Sequence, residues 1–183
     1  MDRLQAMAEE KAKQASKTKT TGQVVKAYFA ALGARDLDAA TALWKPGSVD
    51  HLHGLAELKA PGDIKAYFNG LYSAFPDFSF ELLELAASGK NGAGRWRLTG
   101  TFLGPGRFQG LLPTGSSVTM EGCDMFRVED GLIVENNAYT NGAQIAQQLG
   151  LLPAQGSAAD RAVTNAFNAK TAAVAALRKV RDR

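Results

Sequence analysis

Asp124 is a carboxylate within a long segment predicted to be a strand, between Cys123 and Met125. Its side chain shares a strand face with Gly122 and Phe126, because alternate residues of a strand point to the same side. If Phe126 packs into the core, Asp124 also points inward, and burial raises the pKa of a carboxyl group. Such a group can act as a base or as a neutral hydrogen-bond donor. The structural alternative is a carboxylate paired with an arginine or a tyrosine.

The two histidines of the sequence, His51 and His53, lie on one face of a short predicted strand. Histidine titrates near neutrality, so either side chain can serve as a general acid or base. We predict that His51 contacts a substrate pocket, with His53 as a weaker candidate. The pair could also form half of a metal site, but no nearby cysteine completes it and the sequence names no third ligand. The structural alternative is a hydrogen-bonded histidine at the pocket rim.

Four further polar side chains lie on predicted strands or directly after them. Asn137 and Asn141 come near the end of the last strand, where either amide can hydrogen-bond a ligand carbonyl, although Asn141 can equally be a helix N-cap. Arg95 and Arg97 flank Trp96 in another strand. With Trp96 inside, both arginines face solvent or a dimer contact. A shift of one residue would turn them inward, where they could hold a carboxylate or an enolate.

The distribution of charge argues against a nucleic-acid partner. Residues 1–20 carry a net charge of +2 and residues 154–183 carry +4, whereas residues 21–153 carry −3. A nucleic-acid-binding domain concentrates positive charge on its folded body, which here is acidic. No apolar run approaches the roughly 20 residues of a membrane helix, and the N-terminal residues lack the apolar core of a secretory signal. The single cysteine fits a reducing compartment, so we expect a cytoplasmic protein with no membrane partner.

The spacing of apolar residues predicts helices first and strands later. Apolar residues three and four positions apart are typical of a helix face, and from residue 78 onward the spacing changes to the two-residue period of strands. The predicted elements are helices beginning after Thr21, Asp36 and Asp63, a strand at 48–53, strands at 78–85, 95–102, 118–128 and 132–139, and helices at 142–149 and 157–180.

Helices that precede an antiparallel meander indicate an α+β fold. Long antiparallel strands twist and curl, so we predict a cone-shaped curved sheet with helices on its concave face and a long C-terminal helix. The open end of such a cone is a natural site for a small molecule. We divide the chain into a flexible or helical extension at 1–20, a pocket domain at 21–153 and a C-terminal helical extension at 154–183.

Three segments carry a resemblance to a known family. Residues 100–135 read GTFLGPGRFQGLLPTGSSVTMEGCDMFRVEDGLIVE, residues 145–153 read IAQQLGLLP, and residues 49–54 read VDHLHG. In this order and spacing they resemble the SnoaL-like polyketide cyclases, within the nuclear transport factor 2-like superfamily. The resemblance runs from about Val24 to Pro153.

The resemblance implies a cone-shaped α+β barrel, often dimeric, with a hydrophobic pocket and no metal or organic cofactor. Members of the family cyclise polyketide esters by intramolecular aldol chemistry, and relatives hydrolyse epoxides, isomerise steroids or only bind ligands. We therefore expect a homodimeric, cofactor-free enzyme of cyclase, isomerase or lyase type. Its substrate would be a small hydrophobic molecule that contains a carbonyl group.

The sequence departs from the family pattern at three positions. The family's key aspartate follows the last strand, where this chain has Asn141, and a neutral amide cannot act as a carboxylate base. Asn137 replaces a frequent tryptophan, and Phe102 stands where a histidine is common. These departures keep open a second hypothesis, a non-catalytic protein that binds a hydrophobic ligand. A scaffold dimer is a third.

The chemistry of the residues and the family resemblance together give a set of predicted site residues. We predict Asp124 or His51 as the base and Asn141 as a hydrogen-bond donor. The family pattern also favours Trp96 on the inside of the sheet. The predicted substrate contacts are Tyr28, Trp44, His53, Trp96, Phe102 and Asn137.

Overall fold

Five helices and six strands are present in the computed structural model, which describes residues 19–181. The helices are α1 (Thr21–Gly33), α2 (Leu37–Thr41), α3 (Gly62–Ala74), α4 (Gly142–Gln148) and α5 (Ala158–Arg181). The strands are β1 (Trp44–Leu52), β2 (Ala56–Lys59), β3 (Ser79–Ser88), β4 (Asn91–Thr101), β5 (Ser117–Glu129) and β6 (Leu132–Thr140). The predicted N-terminal extension lies outside the described residues up to position 18, and the division of the chain into three parts stays a prediction.

The six strands form one sheet in the order β2-β1-β6-β5-β4-β3. Strands β3 to β6 are the predicted antiparallel meander, and the predicted α+β class is confirmed. Two features were not predicted: β1 pairs in parallel with β6, and β2 adds an edge strand next to β1. The sheet is therefore mixed rather than wholly antiparallel. Local periodicity does not say which distant strand will lie beside β1.

Helix α1 packs its apolar stripe against the inner face of the sheet. It begins with a capping box, in which the Thr20 hydroxyl accepts from the backbone N–H of Gln23 and the Gln23 side chain accepts from that of Thr20. The close approach requires a glycine on β4, because a Cβ atom at Gly94 would lie 2.6 Å from the ring of Phe29. The buried stripe consists of Val24, Val25, Tyr28, Phe29 and Leu32.

Strand β4 separates an apolar inner face from a charged outer face. Trp96 and Leu98 are buried, whereas Arg95 and Arg97 lie on the outside. Both arginines bind Glu121 of β5, with N–O distances of 2.7 and 2.8 Å. The sheet therefore turns its apolar side toward the helices and pairs its charges on the other side.

Helix α2 is shorter than the spacing of its apolar residues predicts. The spacing of Leu43 and Trp44 suggested that both belong to this helix, but it ends at Thr41, whose hydroxyl donates to the carbonyl of Leu37 at 2.7 Å. The carbonyl of Leu43 instead accepts from the N–H of Ile133 at 2.8 Å, and Trp44 begins β1. The two apolar side chains are buried as expected, but Leu43 lies in the turn after the helix and Trp44 in the strand.

Helix α5 extends from the domain with its apolar stripe uncovered. Val163, Phe167 and Leu177 are exposed over 60%, 66% and 71% of their surface, so this face makes no core contact within the described chain. Among the described residues, no helix has both the length and the apolar content needed to cross a bilayer.

Candidate active site

Three polar side chains meet on the inner face of the sheet, at its centre. Asp50, Asn136 and Asp124 lie at inward positions of the neighbouring strands β1, β6 and β5, and each is at most 6% exposed. The Nδ2 atom of Asn136 donates to Oδ1 of Asp50 and to Oδ2 of Asp124, both at 2.9 Å. One amide group therefore joins two buried carboxyl groups.

Trp96 supplies a second donor to Asp124. Its Nε1 atom lies 2.7 Å from Oδ1 of the carboxylate, and the indole ring is buried. The ring reaches this position because its partner on β5 is Gly122, where a Cβ atom would lie 2.4 Å from the indole. The residue opposite Asp124 on β4 is also a glycine, Gly94. Gly122 thus leaves the space that the indole occupies, and Gly94 the space for the ring of Phe29.

Burial raises the pKa of both carboxyl groups, but by different amounts. The pKa of Asp50 is raised to about 8, first by desolvation and then by the charge of Asp124, and the bond from Asn136 partly offsets the rise. Desolvation also raises the pKa of Asp124, but only to about 6, because Trp96 and Asn136 both donate to its charged form. Asp50 is therefore the carboxyl group that keeps its proton to higher pH.

A small cavity of about 60 Å³ opens from these groups between the sheet and helices α1 and α3. A water molecule needs about 10–15 Å³ of such volume, whereas sites for drug-sized ligands measure about 300 Å³ or more. The cavity can thus hold the reacting part of a ligand but not a whole one. Its lining is Tyr28, Leu32, Asp50, Leu52, Leu55, Tyr67, Phe68, Leu71, Phe80, Trp96, Leu98, Met120, Asp124, Ala138 and Thr140.

The hydroxyl of Tyr28 has no hydrogen-bond partner among the described residues, although it is buried and lines the cavity. Its pKa lies well above the ordinary value, first because of desolvation and then because of the nearby charges of Asp50 and Asp124. The indole N–H of Trp44 partly offsets this rise without forming a hydrogen bond of good geometry. The hydroxyl is therefore a neutral donor that a ligand oxygen can accept from.

Comparison with known proteins identifies the family of the chain. The SnoaL-like polyketide cyclase family matches residues 22–149, which is more than half of the chain. The chain belongs to the SnoaL-like polyketide cyclase family. This confirms the resemblance found in the sequence.

Solved structures show the same fold. The proposed hydroxylase AclR from Streptomyces galilaeus is 28% identical, with a TM-score of 0.63 over 73% of this chain and 97% of its own. The proposed polyketide cyclase IdmH from Streptomyces antibioticus is 25% identical, with a TM-score of 0.60 over 72% and 99%. An NTF2-like protein from Burkholderia thailandensis is 23% identical, with a TM-score of 0.63 over 74% and 100%. No curated protein matches the sequence.

The structure brings together only part of the predicted SnoaL-like site. Asp124, Trp96 and Tyr28 line the cavity. Trp44 is buried edge-on against Tyr28, with ring centroids 5.8 Å apart, but does not line the cavity. Phe102 is also buried and stacks on another phenylalanine, outside the cavity lining. These two predicted contacts are core residues.

Both histidines lie on the outer face of the sheet, away from Asp124. Since Asp50 points inward, its neighbour His51 points outward, where its Nδ1 atom lies 3.1 Å from a carboxylate oxygen of Glu57. His53 contacts Oδ1 of Asn137 at 2.9 Å, so the predicted contact Asn137 is on this face as well. The structure therefore does not bring His51, His53 or Asn137 to the buried carboxyl pair.

Asn141, which the sequence resemblance aligns with the family aspartate, is exposed and caps helix α4. Its Oδ1 atom accepts from the backbone N–H of Gln144 at 3.1 Å. This is the N-cap alternative considered from the sequence, and the side chain is not part of the cavity lining. The two buried carboxyl groups lie instead on strands β1 and β5.

The outer face of the sheet carries a larger surface depression, of about 450 Å³, which is open to solvent. His51 is part of its lining, together with Lys45, Arg127, Glu129 and Glu135, and none of these ionisable side chains is buried. The smaller inner cavity, whose two carboxyl groups are buried and have raised pKa values, is the stronger candidate for catalysis. Among the described residues, no group of three histidine, cysteine or acidic side chains is arranged to hold a metal ion.

Sequence reasoning missed Asp50 and Asn136. Each carried a usable signal, because Asp50 shares a strand face with the apolar Leu52 and Asn136 shares one with Ala138. A polar residue at an inward position of a strand is costly unless it is paired. The neighbouring His51 and Asn137, which were predicted as site residues instead, face the other side of the sheet.

The buried carboxyl pair predicts that stability decreases as pH rises. The folded protein keeps a proton on Asp50 up to a pKa of about 8, whereas the unfolded chain releases it near 3.8. Because the native state binds more protons in this interval, the free energy of unfolding falls with pH, by on the order of 4 kcal/mol from Asp50 between pH 5 and 9. Denaturant titrations should show that Asp50→Asn removes most of this decrease.

Asp130→Asn, at an exposed turn, is the matched control and should keep the decrease. A slope with pH that is the same in wild type and Asp50→Asn would show that Asp50 is not protonated in the folded state.

Proposed function

We propose that this SnoaL-like protein catalyses proton transfer next to a carbonyl group of a small hydrophobic substrate, without a cofactor. The observation that carries the proposal is the pair Asp50 and Asp124, two buried carboxyl groups joined by one amide and held at pKa values of about 8 and about 6. Two carboxyl groups whose environments separate their pKa values can act as acid and base in one reaction. Proposed cyclases among the solved structures with this fold support the assignment.

Asp124 is the base in this proposal. Its ionised carboxylate takes a proton from the carbon next to the substrate carbonyl, and the electron pair of the broken C–H bond moves to the carbonyl oxygen. The resulting enolate oxygen accepts hydrogen bonds from the protonated Asp50 and from the hydroxyl of Tyr28. Donors that are fixed in a dry site before the reaction stabilise this developing charge most effectively.

The enolate can then follow one of two routes. In a cyclase, its carbon attacks a second carbonyl of the same molecule, forming a C–C bond as the C=O π bond breaks, and the new alkoxide takes the proton from Asp124. In an isomerase, Asp124 returns the proton to a different carbon. Both routes leave Asp124 ionised and Asp50 protonated, so neither consumes a cofactor.

The proposal predicts a bell-shaped dependence of the rate on pH. Activity requires Asp124 without its proton and Asp50 with its proton, so kcat/KM should rise through about pH 6 and fall through about pH 8. Asp50→Asn keeps a neutral side chain at every pH, so it should lose the alkaline decrease. Deuterium exchange of a series of hydrophobic methyl ketones, followed by NMR, measures this profile.

A rate that depends on hydroxide alone, with no plateau, would contradict the proposed roles. The same profile in wild type and Asp50→Asn would contradict the role of Asp50 alone.

The second candidate is a protein that binds a hydrophobic ligand without reaction. The small cavity and the amide of Asn141 at the family aspartate position favour it. Tight binding of a ketone with no exchange of its α-protons at any pH would select this candidate. The homodimer and the cytoplasmic location expected from the sequence remain predictions, which sedimentation and cell fractionation would test.

A further inference from the structure

A further cavity, separate from the depression on the outer face of the sheet, measures about 220 Å³ and is open to solvent. It is a groove between helix α3 and the loop 103–116, and we call it the outer groove. Tyr67 and Leu71 line both the outer groove and the buried cavity, so the two spaces meet at these side chains. The lining of the outer groove is Ala66, Tyr67, Gly70, Leu71, Arg107, Phe108 and Gln109.

Tyr67 stands between the carboxyl pair and the loop. The pKa of Tyr67 is raised to about 12, first by desolvation and then by the charge of Asp50, and the side chain of Gln109 partly offsets the rise. The phenol therefore lies near Asp50 on one side and near the loop on the other. A substrate too large for the 60 Å³ cavity has to extend past Tyr67 into the outer groove when its carbonyl lies at Asp124.

Arg107 is the cation of the outer groove. Its side chain is exposed, and its Nη1 atom donates to the carbonyl of Gly110 at 3.0 Å, within the same loop. A guanidinium has five N–H donors, so most of them remain available at the groove. No described carboxylate forms an ion pair with Arg107.

The other arginines between residues 21 and 153 form ion pairs, hydrogen bonds or ring contacts with residues distant in the sequence. Their contacts are Arg35 with the carbonyls of Pro76 and Phe78 and the ring of Tyr72, Arg95 with Glu84 and Glu121, Arg97 with Glu121, and Arg127 with Glu135. Arg107 alone in this range makes its described contacts only within its own loop.

We propose that Arg107 binds a carboxylate group of the substrate. This inference rests on the proposed function and adds a substrate class, a hydrophobic ketone or ester that also bears an acid group. The charges set the orientation, because the ionised Asp124 repels an anion from the buried cavity while Arg107 attracts it to the outer groove. A planar guanidinium also matches a carboxylate with two parallel hydrogen bonds.

The test compares two probes, 6-acetyl-2-naphthoic acid and its methyl ester, which share the aromatic ketone and differ in the acid group. Fluorescence titration of the wild type at low ionic strength should show about fivefold tighter binding of the acid, the upper range of an exposed ion pair. Arg107→Gln should remove this preference, and Arg107→Lys should keep part of it. Arg161→Gln is the matched control, since that exposed arginine also donates to a backbone carbonyl nearby, at 2.6 Å.

Equal affinities of the two probes in the wild type, or an acid preference that survives in Arg107→Gln, would overturn the inference. Loss of the preference in Arg161→Gln would equally overturn it, because a general charge effect would then explain the result. Failure of the proposed function gives a different pattern, in which the acid preference depends on Arg107 but no ketone exchanges its α-protons.

Discussion

Replacing Asp124 with asparagine is expected to lower kcat/KM for proton transfer by at least about 10²-fold, because a positioned general base contributes about 10²–10⁴ to such a rate. Asparagine has nearly the shape of aspartate but cannot accept the proton. The variant should remain folded, since its amide oxygen can still accept from Trp96. The amide of Asn136, whose Oδ1 atom has no described partner, can rotate to accept from the new NH₂ group, and the protonated carboxyl group of Asp50 can then donate to the same oxygen.

Two controls accompany this experiment. Glu121→Gln removes a carboxylate from the same strand but on its outer face, and it should keep the wild-type rate. His51→Ala distinguishes the two bases predicted from the sequence, and it should also keep the rate because His51 lies on the outer face. A rate that falls in His51→Ala but not in Asp124→Asn would reverse the assignment of the base.

Replacing Asn136 with leucine is expected to lower the free energy of unfolding by about 2–5 kcal/mol, the range for buried charges that lose their partners. Asn136 donates to both carboxyl groups, and it is the only described donor to Asp50. Without it the pKa of each carboxyl rises further above its unfolded value. The native state then binds these protons more tightly than the unfolded chain does. The decrease in the free energy of unfolding should therefore be larger at pH 9 than at pH 5.

The measurement is denaturant unfolding at both pH values. Asn137→Leu is the matched control, because it changes the next residue of the same strand, on the outer face, and should cost no more than about 1 kcal/mol. Equal losses at pH 5 and pH 9 would show that Asn136 serves packing and not the charge of the carboxyl pair. The acid limb of the rate profile should also move to higher pH in Asn136→Leu, which a packing role would not produce.

Much of the fold follows from periodicity that is local in the sequence. The alternation along β4 placed Trp96 and Arg95 on opposite faces, and the alternation along β5 placed Asp124 on the face of Phe126. A strand has a side-chain period of two, so one buried residue determines the direction of its neighbours. For this reason the carboxylate at the centre of the cavity could be predicted from sequence alone.

The partners of that carboxylate could not be predicted in the same way. Asp50 and Asn136 meet because β1 lies in parallel beside β6, although 86 positions separate them in the chain. Periodicity showed that His51 and His53 share a face but did not show which face is the outer one, since their strand has an apolar residue on each side, Val49 with the histidines and Leu52 with Asp50. The pairing of distant strands depends on how the whole sheet packs against α1 and α3. Only the tertiary structure therefore decided that the buried polar groups at the cavity include two aspartates rather than an aspartate and a histidine.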